Sequence, residues 1–129
     1  MARGYDQHYG RKLSASALGR SLSRRAGNAC ELCRRPTSLQ VVEVPPLPEE
    51  PEVDSAVMLC ERCASVVTDE RNKIPPDELR FIGETIWSDV EPVQIVAVRV
   101  ARRLSDKGVL WARDLIDGLY LSPEVEERL

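Results

Sequence analysis

Apolar residues recur in two different patterns along the chain, and the pattern changes from strand-like to helix-like near the middle. In the first half, two short runs rich in β-branched and other apolar residues predict strands at residues 39–44 and 56–59. Pro45 and Pro46 end the first run. The proline-rich acidic segment at residues 45–52 predicts an extended loop between the two strands.

Apolar residues at helical spacing dominate the second half. Residues 75–78 combine proline with acidic side chains, which is typical of a helix start. The buried face of that helix is predicted to hold Leu79, Ile82 and Ile86. A longer helix is predicted from Glu91 to Gly108. Its buried stripe is predicted to consist of Val93, Val96, Ala97, Val100 and Leu104.

Three further helices are predicted. One covers residues 14–26 and begins at a serine, a residue typical of N-caps. The second covers residues 110–119, where Arg113 and Asp117 are four apart and can pair on the outside. The third is a short last helix capped by Ser122. Together these patterns predict a small α+β fold, with a hairpin and a helix followed by a helical C-terminal half.

The four cysteines stand in two Cys-x-x-Cys pairs, Cys30/Cys33 and Cys60/Cys63. Two residues between the thiols let both sulfurs of a pair bind one ion from a tight turn. Two such pairs supply the four thiolates that tetrahedral Zn²⁺ takes in a closed structural site. The second pair begins a helix predicted at residues 61–67. The sequence therefore predicts one structural zinc ion in a treble-clef or zinc-ribbon-like module.

Two other uses of these cysteines stay open at this point, a redox-active cluster and stable disulfides. The opening residues, MARGYDQHYG, contain no apolar stretch of signal-peptide length, and no run is long enough to span a membrane. These features favour a cytoplasmic protein without membrane contact. Thiols stay reduced in that compartment, which favours the metal.

Charge is distributed unevenly although the formal net charge is only −3. Residues 1–35 hold eight Arg and Lys against two acidic residues, a net of +6, whereas residues 36–129 have a net of −9. Such a basic head either contacts nucleic acid or packs on the acidic half of the same protein. The candidate nucleic-acid contacts are Arg11, Lys12, Arg20, Arg24, Arg25, Arg34 and Arg35.

A length of 129 residues, 43% of them hydrophobic, is enough for one modest core. We therefore predict one structural domain in three parts. Residues 1–13 form a disordered basic tail, residues 14–72 the zinc module with its preceding helix, and residues 73–129 a helical extension packed on it. The helix near residues 93–104 is equally suited to face a partner, so a homo-oligomer through the helical half is an open alternative.

Five strings carry a resemblance to a known family. They are AGNACELC, LQVVEVPP, AVMLCERC, IWSDVEPVQIVAVRVARRL and WARDLIDGLYL. Across residues 18–125 the chain resembles the N-terminal region of PhnA-type proteins, small bacterial zinc-ribbon-like proteins named for alkylphosphonate utilisation. The last two strings are the more discriminating. That family usually has glycine after the second cysteine, where this chain has Arg34. A positive φ at this position would cost arginine about 1 kcal/mol.

The order of cysteine pairs and strands is more distantly similar to HNH nucleases with a zinc-bound core. That resemblance implies histidines at about Val42 and Glu43, an asparagine near Ser55 and a further histidine at Ala64, but none of these is present. The single histidine, His8, lies in the predicted tail. A metal-dependent nuclease needs a general base and ligands for its catalytic ion. The sequence therefore favours an HNH-like scaffold without that chemistry.

The function predicted from these observations is a non-enzymatic structural-zinc module that binds a macromolecular partner, either protein or nucleic acid. The alternative is a small hydrolase, either a degenerate HNH-type nuclease or the phosphonate-directed enzyme that the PhnA name implies. Metal-dependent phosphonate hydrolysis would need an open coordination position, whereas four cysteines fill a zinc site. No catalytic residue is predicted.

Overall fold

The protein was analysed as a computed structural model that describes residues 10–11 and 14–129. These residues form a small α+β fold with a two-stranded antiparallel hairpin and helices. The elements are α1 (Gly19–Ala26), β1 (Leu39–Glu43), β2 (Ala56–Cys60), α2 (Glu61–Thr68), α3 (Ile82–Thr85), α4 (Glu91–Asp106), α5 (Leu110–Asp117) and α6 (Pro123–Arg128). Short 3₁₀ turns occupy Val53–Ser55 and Pro76–Leu79. The two strands and the helix after them confirm the strands predicted at residues 39–44 and 56–59 and the helix predicted at residues 61–67.

The hairpin is a layer with helices on both sides. Leu39 pairs with Cys60 at one end and Glu43 with Ala56 at the other. Alternate residues of β2 point to opposite faces, as the pleat requires. Val57 and Leu59 join the main core, whereas Ala56 and Met58 pack with residues of α1. Burial on both faces explains why the sequence of β2 is apolar throughout.

Helix α4 is the centre of the main core. All five residues of its predicted stripe are buried, which confirms the helical pattern. Burial extends beyond the stripe to Ile95, Val98 and Ala101, which are fully inaccessible to solvent. The helix contacts α2, α3, α5, α6 and β2. One apolar core therefore runs from the hairpin to the last helix, while the predicted boundary at residue 72 stays a prediction.

The N-terminal segment differs from its prediction. Residues 14–16 are helical, residues 17–18 form a turn, and α1 begins only at Gly19, so one continuous helix from residue 14 is wrong. The Leu18 N–H donates to the Ala15 carbonyl at 3.0 Å, a three-residue spacing that tightens and ends the first segment. Residues 10–11 are helical as well, although they belong to the tail predicted to be disordered.

The predicted helix that starts at residues 75–78 is also divided. A 3₁₀ turn at Pro76–Leu79 is followed by the separate four-residue helix α3. The predicted face is nevertheless correct, since Leu79, Ile82 and Ile86 are all buried. The end of α3 makes a long-range contact, in which the Thr85 hydroxyl donates to the Leu32 carbonyl at 2.9 Å.

Two smaller predictions concern the surface of α5 and the cap of α6. Arg113 and Asp117 form no ion pair in the structure, so the predicted pairing on α5 is wrong. Both side chains are exposed, where a pair contributes only a few tenths of a kcal/mol. The cap at Ser122 is confirmed, because its hydroxyl accepts a hydrogen bond from the Val125 N–H at 3.3 Å.

Candidate metal centre

The first cysteine pair lies on a tight turn between α1 and β1. The Cys33 N–H donates to Cys30 Sγ at 3.5 Å, and the Arg34 N–H donates to the Cys30 carbonyl at 2.9 Å. Arg34 has a φ of 70°. The turn therefore needs the left-handed backbone that glycine adopts most easily, and this chain makes it with arginine.

The second pair joins the end of β2 to the start of α2. Cys60 is the last residue of the strand and the N-cap of the helix, and its Sγ accepts the Cys63 N–H at 3.4 Å. Partial positive charge at a helix N-terminus stabilises a thiolate. The pairing of Cys60 with Leu39 fixes this end of the hairpin beside the first turn.

The two pairs converge on one point. All four Sγ atoms lie within 4.8 Å of one another, and Cys33 Sγ is 3.6 Å from Cys60 Sγ. Four thiolates around one Zn²⁺ at about 2.3 Å would be roughly 3.8 Å apart, so the spacing fits a tetrahedral ion. All four cysteines are free thiols in this structure rather than disulfides. The four cysteines lie together and can coordinate one metal ion.

The surroundings of the four cysteines disfavour four thiolates at once unless a cation is bound between them. Cys30, Cys60 and Cys63 are buried and Cys33 is partly buried. A hydrogen bond from the Cys63 thiol lowers the pKa of Cys30 and raises that of Cys63. Burial raises the pKa of Cys33. Since metal binding requires deprotonated thiols, an ion at this point would supply the charge that holds all four as thiolates.

A segment from the helical half covers the metal centre. Leu79 and Phe81 line a small cavity of about 130 Å³ together with Cys33 and Cys63. On the rim of that cavity the Arg62 guanidinium pairs with the Glu78 carboxylate. Sequence analysis did not identify this cover or the Thr85 contact behind it. No short-range signal marks them, because the partners are 16 to 53 residues apart.

Three of the predicted nucleic-acid contacts are occupied within the protein. Arg11 makes a bidentate pair with Glu43 at 2.7 and 2.9 Å. Arg25 pairs in the same way with the buried Glu31 at 2.8 and 2.9 Å. Arg34 donates to the Ala26 carbonyl at 2.8 Å. Arg11, through Glu43, and Arg25, which also donates to the Val53 and Ala56 carbonyls at 2.8 Å, match the predicted packing of the basic head on the acidic half, whereas the contact of Arg34 stays within residues 1–35.

The remaining members of the predicted set are placed differently. Arg20, Arg24 and Arg35 have exposed side chains, whereas Lys12 lies outside the described residues. Arg20 and Arg24 are on α1, and Arg35 follows the first cysteine turn. Nucleic-acid contact by these residues stays a prediction.

The positions that the HNH resemblance singles out hold no second metal cluster. Across residues 10–11 and 14–129, the four cysteines are the one group of three or more metal-binding side chains close enough to share an ion. Glu43 is neutralised by Arg11, and Ser55 accepts a hydrogen bond from Arg128 at 3.3 Å. Ala64 is buried, and His8 lies outside the described residues.

Comparisons of the chain with models of protein families, with curated proteins and with solved structures find no match. The PhnA-type and HNH-like resemblances therefore depend on the quoted residues alone. In the described part of the chain, no helix is both long enough and apolar enough to cross a membrane.

Proposed function

We propose that this protein is a non-enzymatic module in which one structural Zn²⁺ stabilises a surface that binds a macromolecule. The observation that carries this proposal is the convergence of four sulfur atoms within 4.8 Å. Four thiolates complete a tetrahedral shell and leave no position for water or substrate, unlike catalytic zinc sites, which keep one open. Nothing in the cluster is therefore available to activate a nucleophile.

Zinc is proposed over hard cations such as magnesium and calcium because all four ligands are thiolates. Thiolates select soft or borderline metals, and an all-sulfur tetrahedral site suits zinc or iron. In this proposal the arrangement is treble-clef-like. The first turn and the N-terminus of α2 supply two ligands each, and the hairpin connects them. The five strings that resemble PhnA-type proteins support a PhnA-type assignment, which we retain as part of the proposal.

Metal analysis and a ligand substitution test this proposal. Protein purified under reducing conditions should contain one equivalent of zinc. Cys60→Ser should lose the metal and most of the folded structure, since zinc sites of this type contribute about 10 kcal/mol or more to folding. Ser65→Ala, two residues beyond Cys63 on α2, is the matched control and should keep both metal and stability. Iron instead of zinc, or a Cys60→Ser variant that melts like the wild type, would contradict the proposal.

The hydrolase alternative receives a direct test as well. Zinc-loaded protein should show no turnover of phosphodiester or phosphonate substrates. Glu43→Ala is the decisive variant, because Glu43 is the hairpin carboxylate at a position where the HNH resemblance implies a catalytic histidine. Turnover that is abolished by this substitution while zinc stays bound would replace our proposal with an enzymatic one.

The helical half also supports the proposal that the protein can self-associate. Three large apolar side chains there are well exposed, Trp87 by 52%, Leu110 by 71% and Tyr120 by 83%. Sedimentation of the zinc-loaded protein across a concentration series measures this property. A shift towards dimer that Leu110→Ala reverses is the expected outcome, and a monomer at every concentration would reject self-association.

A further inference from the structure

A basic groove lies at the end of α2 opposite the metal ligands. It has a volume of about 750 Å³ and is bounded by the end of β1, the C-terminal end of α2 and one face of α4. Five cationic side chains surround it, Arg71, Arg99, Arg102, Arg103 and Lys107. This groove belongs to residues 36–129, whose net charge is −9. The groove therefore collects positive charge within a part of the chain that is negatively charged overall.

Carboxylates do not neutralise this groove. Of the three acidic residues along it, Glu43 is already paired with Arg11 from outside, which leaves Glu70 and Asp106 against five cations. None of the five cations forms an ion pair with any carboxylate of the described residues. An unneutralised surplus of positive charge in a recess concentrates anions from solution.

Neutral backbone carbonyls hold three of these cations in place. Arg99 donates to the Arg128 carbonyl at 2.8 Å and Lys107 to the Glu70 carbonyl at 3.1 Å, while Arg103 donates to the Val66 carbonyl. Carbonyls orient the side chains without removing their charge. Burial, followed by repulsion from the neighbouring Arg128, lowers the pKa of Arg99 below its usual value. The positive charge of Arg99 is therefore less favourable here than in water when no anion is bound.

The same three cations form a row that runs along α4 and ends at Lys107, the residue directly after the helix. They stand at spacings of four residues, a position at which like charges on a helix repel one another. Eight residues of helix span roughly 12 Å. Neighbouring cations of the row are therefore about 6 Å apart along the helix axis, which lets each of the three contact a different phosphate of an extended strand. A single small anion would contact only part of it.

We propose that this groove binds the phosphate backbone of single-stranded nucleic acid. This inference rests on the proposed function and names the partner and its contact surface. A recess suits a single strand better than a duplex, whose grooves are entered by protruding elements. The floor is aliphatic, with Val44, Val67 and Val100, and offers no aromatic ring for base stacking. Binding should therefore depend on charge, with little sequence preference.

Two of the five cations allow a test that leaves the fold intact. Arg103 and Lys107 cap carbonyls around the C-terminus of α2, so their removal would also disturb folding. Arg71 and Arg102 are exposed, and the structure gives their side chains no hydrogen bond or ion pair within the described residues. The variant is Arg71→Gln with Arg102→Gln. The matched control is Arg80→Gln with Arg113→Gln, which removes the same charge from two exposed side chains that neither line the groove nor belong to the predicted nucleic-acid contacts.

The measurement is fluorescence anisotropy of a labelled oligothymidine of about 15 nucleotides with zinc-loaded full chain. Wild-type affinity should fall roughly 100-fold between about 50 and about 200 mM salt if five phosphates are contacted. The groove variant should bind at least about 10-fold more weakly at the lower salt and show a salt slope shallower by about 1.4. The control variant should bind like the wild type.

Each other outcome overturns the proposal in a distinguishable way. Equal losses in both variants, or a loss only in the control variant, would move the contact away from the groove. Stronger competition by inorganic polyphosphate of equal charge would identify polyphosphate as the ligand, and equal competition by polyglutamate would indicate an acidic protein. No binding at low salt would reject the groove, yet one equivalent of zinc in the same sample would leave the structural-metal proposal standing.

Discussion

At the scale of single residues, two arginines that are adjacent in the sequence have different roles. Arg24 and Arg25 are adjacent on α1, and both were candidates for nucleic-acid contact. Arg24 is exposed, whereas Arg25 is oriented inward and pairs with Glu31. The Glu31 carboxylate also accepts the Met58 N–H at 2.8 Å, which ties the turn before β1 to β2. Charge identity alone could not distinguish the two arginines.

Replacing each of these arginines by alanine tests that difference. Arg25→Ala should destabilise the zinc-loaded protein by about 2 kcal/mol, because it leaves the buried Glu31 carboxylate without its cation. Arg24→Ala should change stability by less than about 0.5 kcal/mol. Urea denaturation followed by circular dichroism measures both. Equal effects would show that the Arg25–Glu31 pair contributes little to folding.

Arg34 offers a second residue-scale prediction. Its φ of 70° is unfavourable for any side chain with a Cβ atom. Arg34→Gly and Arg34→Ala both remove the hydrogen bond to the Ala26 carbonyl, so their difference isolates the backbone. The glycine variant should be the more stable of the two by about 1 kcal/mol, measured by denaturation at saturating zinc. An alanine variant of equal stability would mean that the turn relaxes without strain.

At the scale of elements, α4 shows how burial on several sides extends a predicted stripe. A surface helix buries one face, but α4 is contacted by helices and a strand around much of its circumference. Ile95 and Val98 are therefore fully buried although they lie off the predicted face. The number of elements that pack around a helix is a property of the assembled fold. The sequence of the helix indicates that number only through an unusually high content of apolar residues.

Truncation of Ile95 measures this burial. Ile95→Ala should cost about 3 kcal/mol, and Ile95→Val about 1 kcal/mol, because each removes methyl groups from a closely packed interior. Leu110→Ala is the control, since that side chain is 71% exposed and should be nearly neutral in the monomer. Thermal unfolding provides the comparison. An Ile95→Ala variant as stable as the control would mean that the packing around α4 is loose.

At the scale of the whole molecule, the cysteine-containing module (residues 14–72) and the helical half (residues 73–129) share one core. Cys63 and Val57 of the module belong to the same buried cluster as Ile82, Ile95 and Val125. The Thr85–Leu32 contact and the cover over the cysteines add polar links between them. Loss of the proposed zinc ion should therefore destabilise the helical half as well as the residues around the cysteines.

Metal removal under reducing conditions tests this coupling. Chelation should unfold both halves in one transition, because the binding free energy of the ion is also folding free energy. Far-UV circular dichroism reports the helices, and tryptophan fluorescence reports the helical half through Trp87 and Trp111. Coincident transitions are expected. A helical half that keeps its fluorescence after complete zinc removal would show that it folds independently.

The sequence by itself determined the features that depend on neighbours a few residues away. These include the paired cysteines, the two strands, the N-cap at Ser122 and the buried stripe of α4. Each follows from spacing, backbone propensity or capping, which act within one or two turns of chain.

Only the tertiary structure decided which cations are neutralised and which remain available. The partners of Arg11 and Arg25 depend on contacts between residues distant in sequence. The row along α4 follows from four-residue spacing, but the absence of carboxylate partners for it among the described residues depends on packing. The sequence placed its basic surplus in residues 1–35. The groove, in contrast, lies in the acidic part of the chain, where packing of α4 against α2 brings Arg71 beside the four cations of residues 99–107.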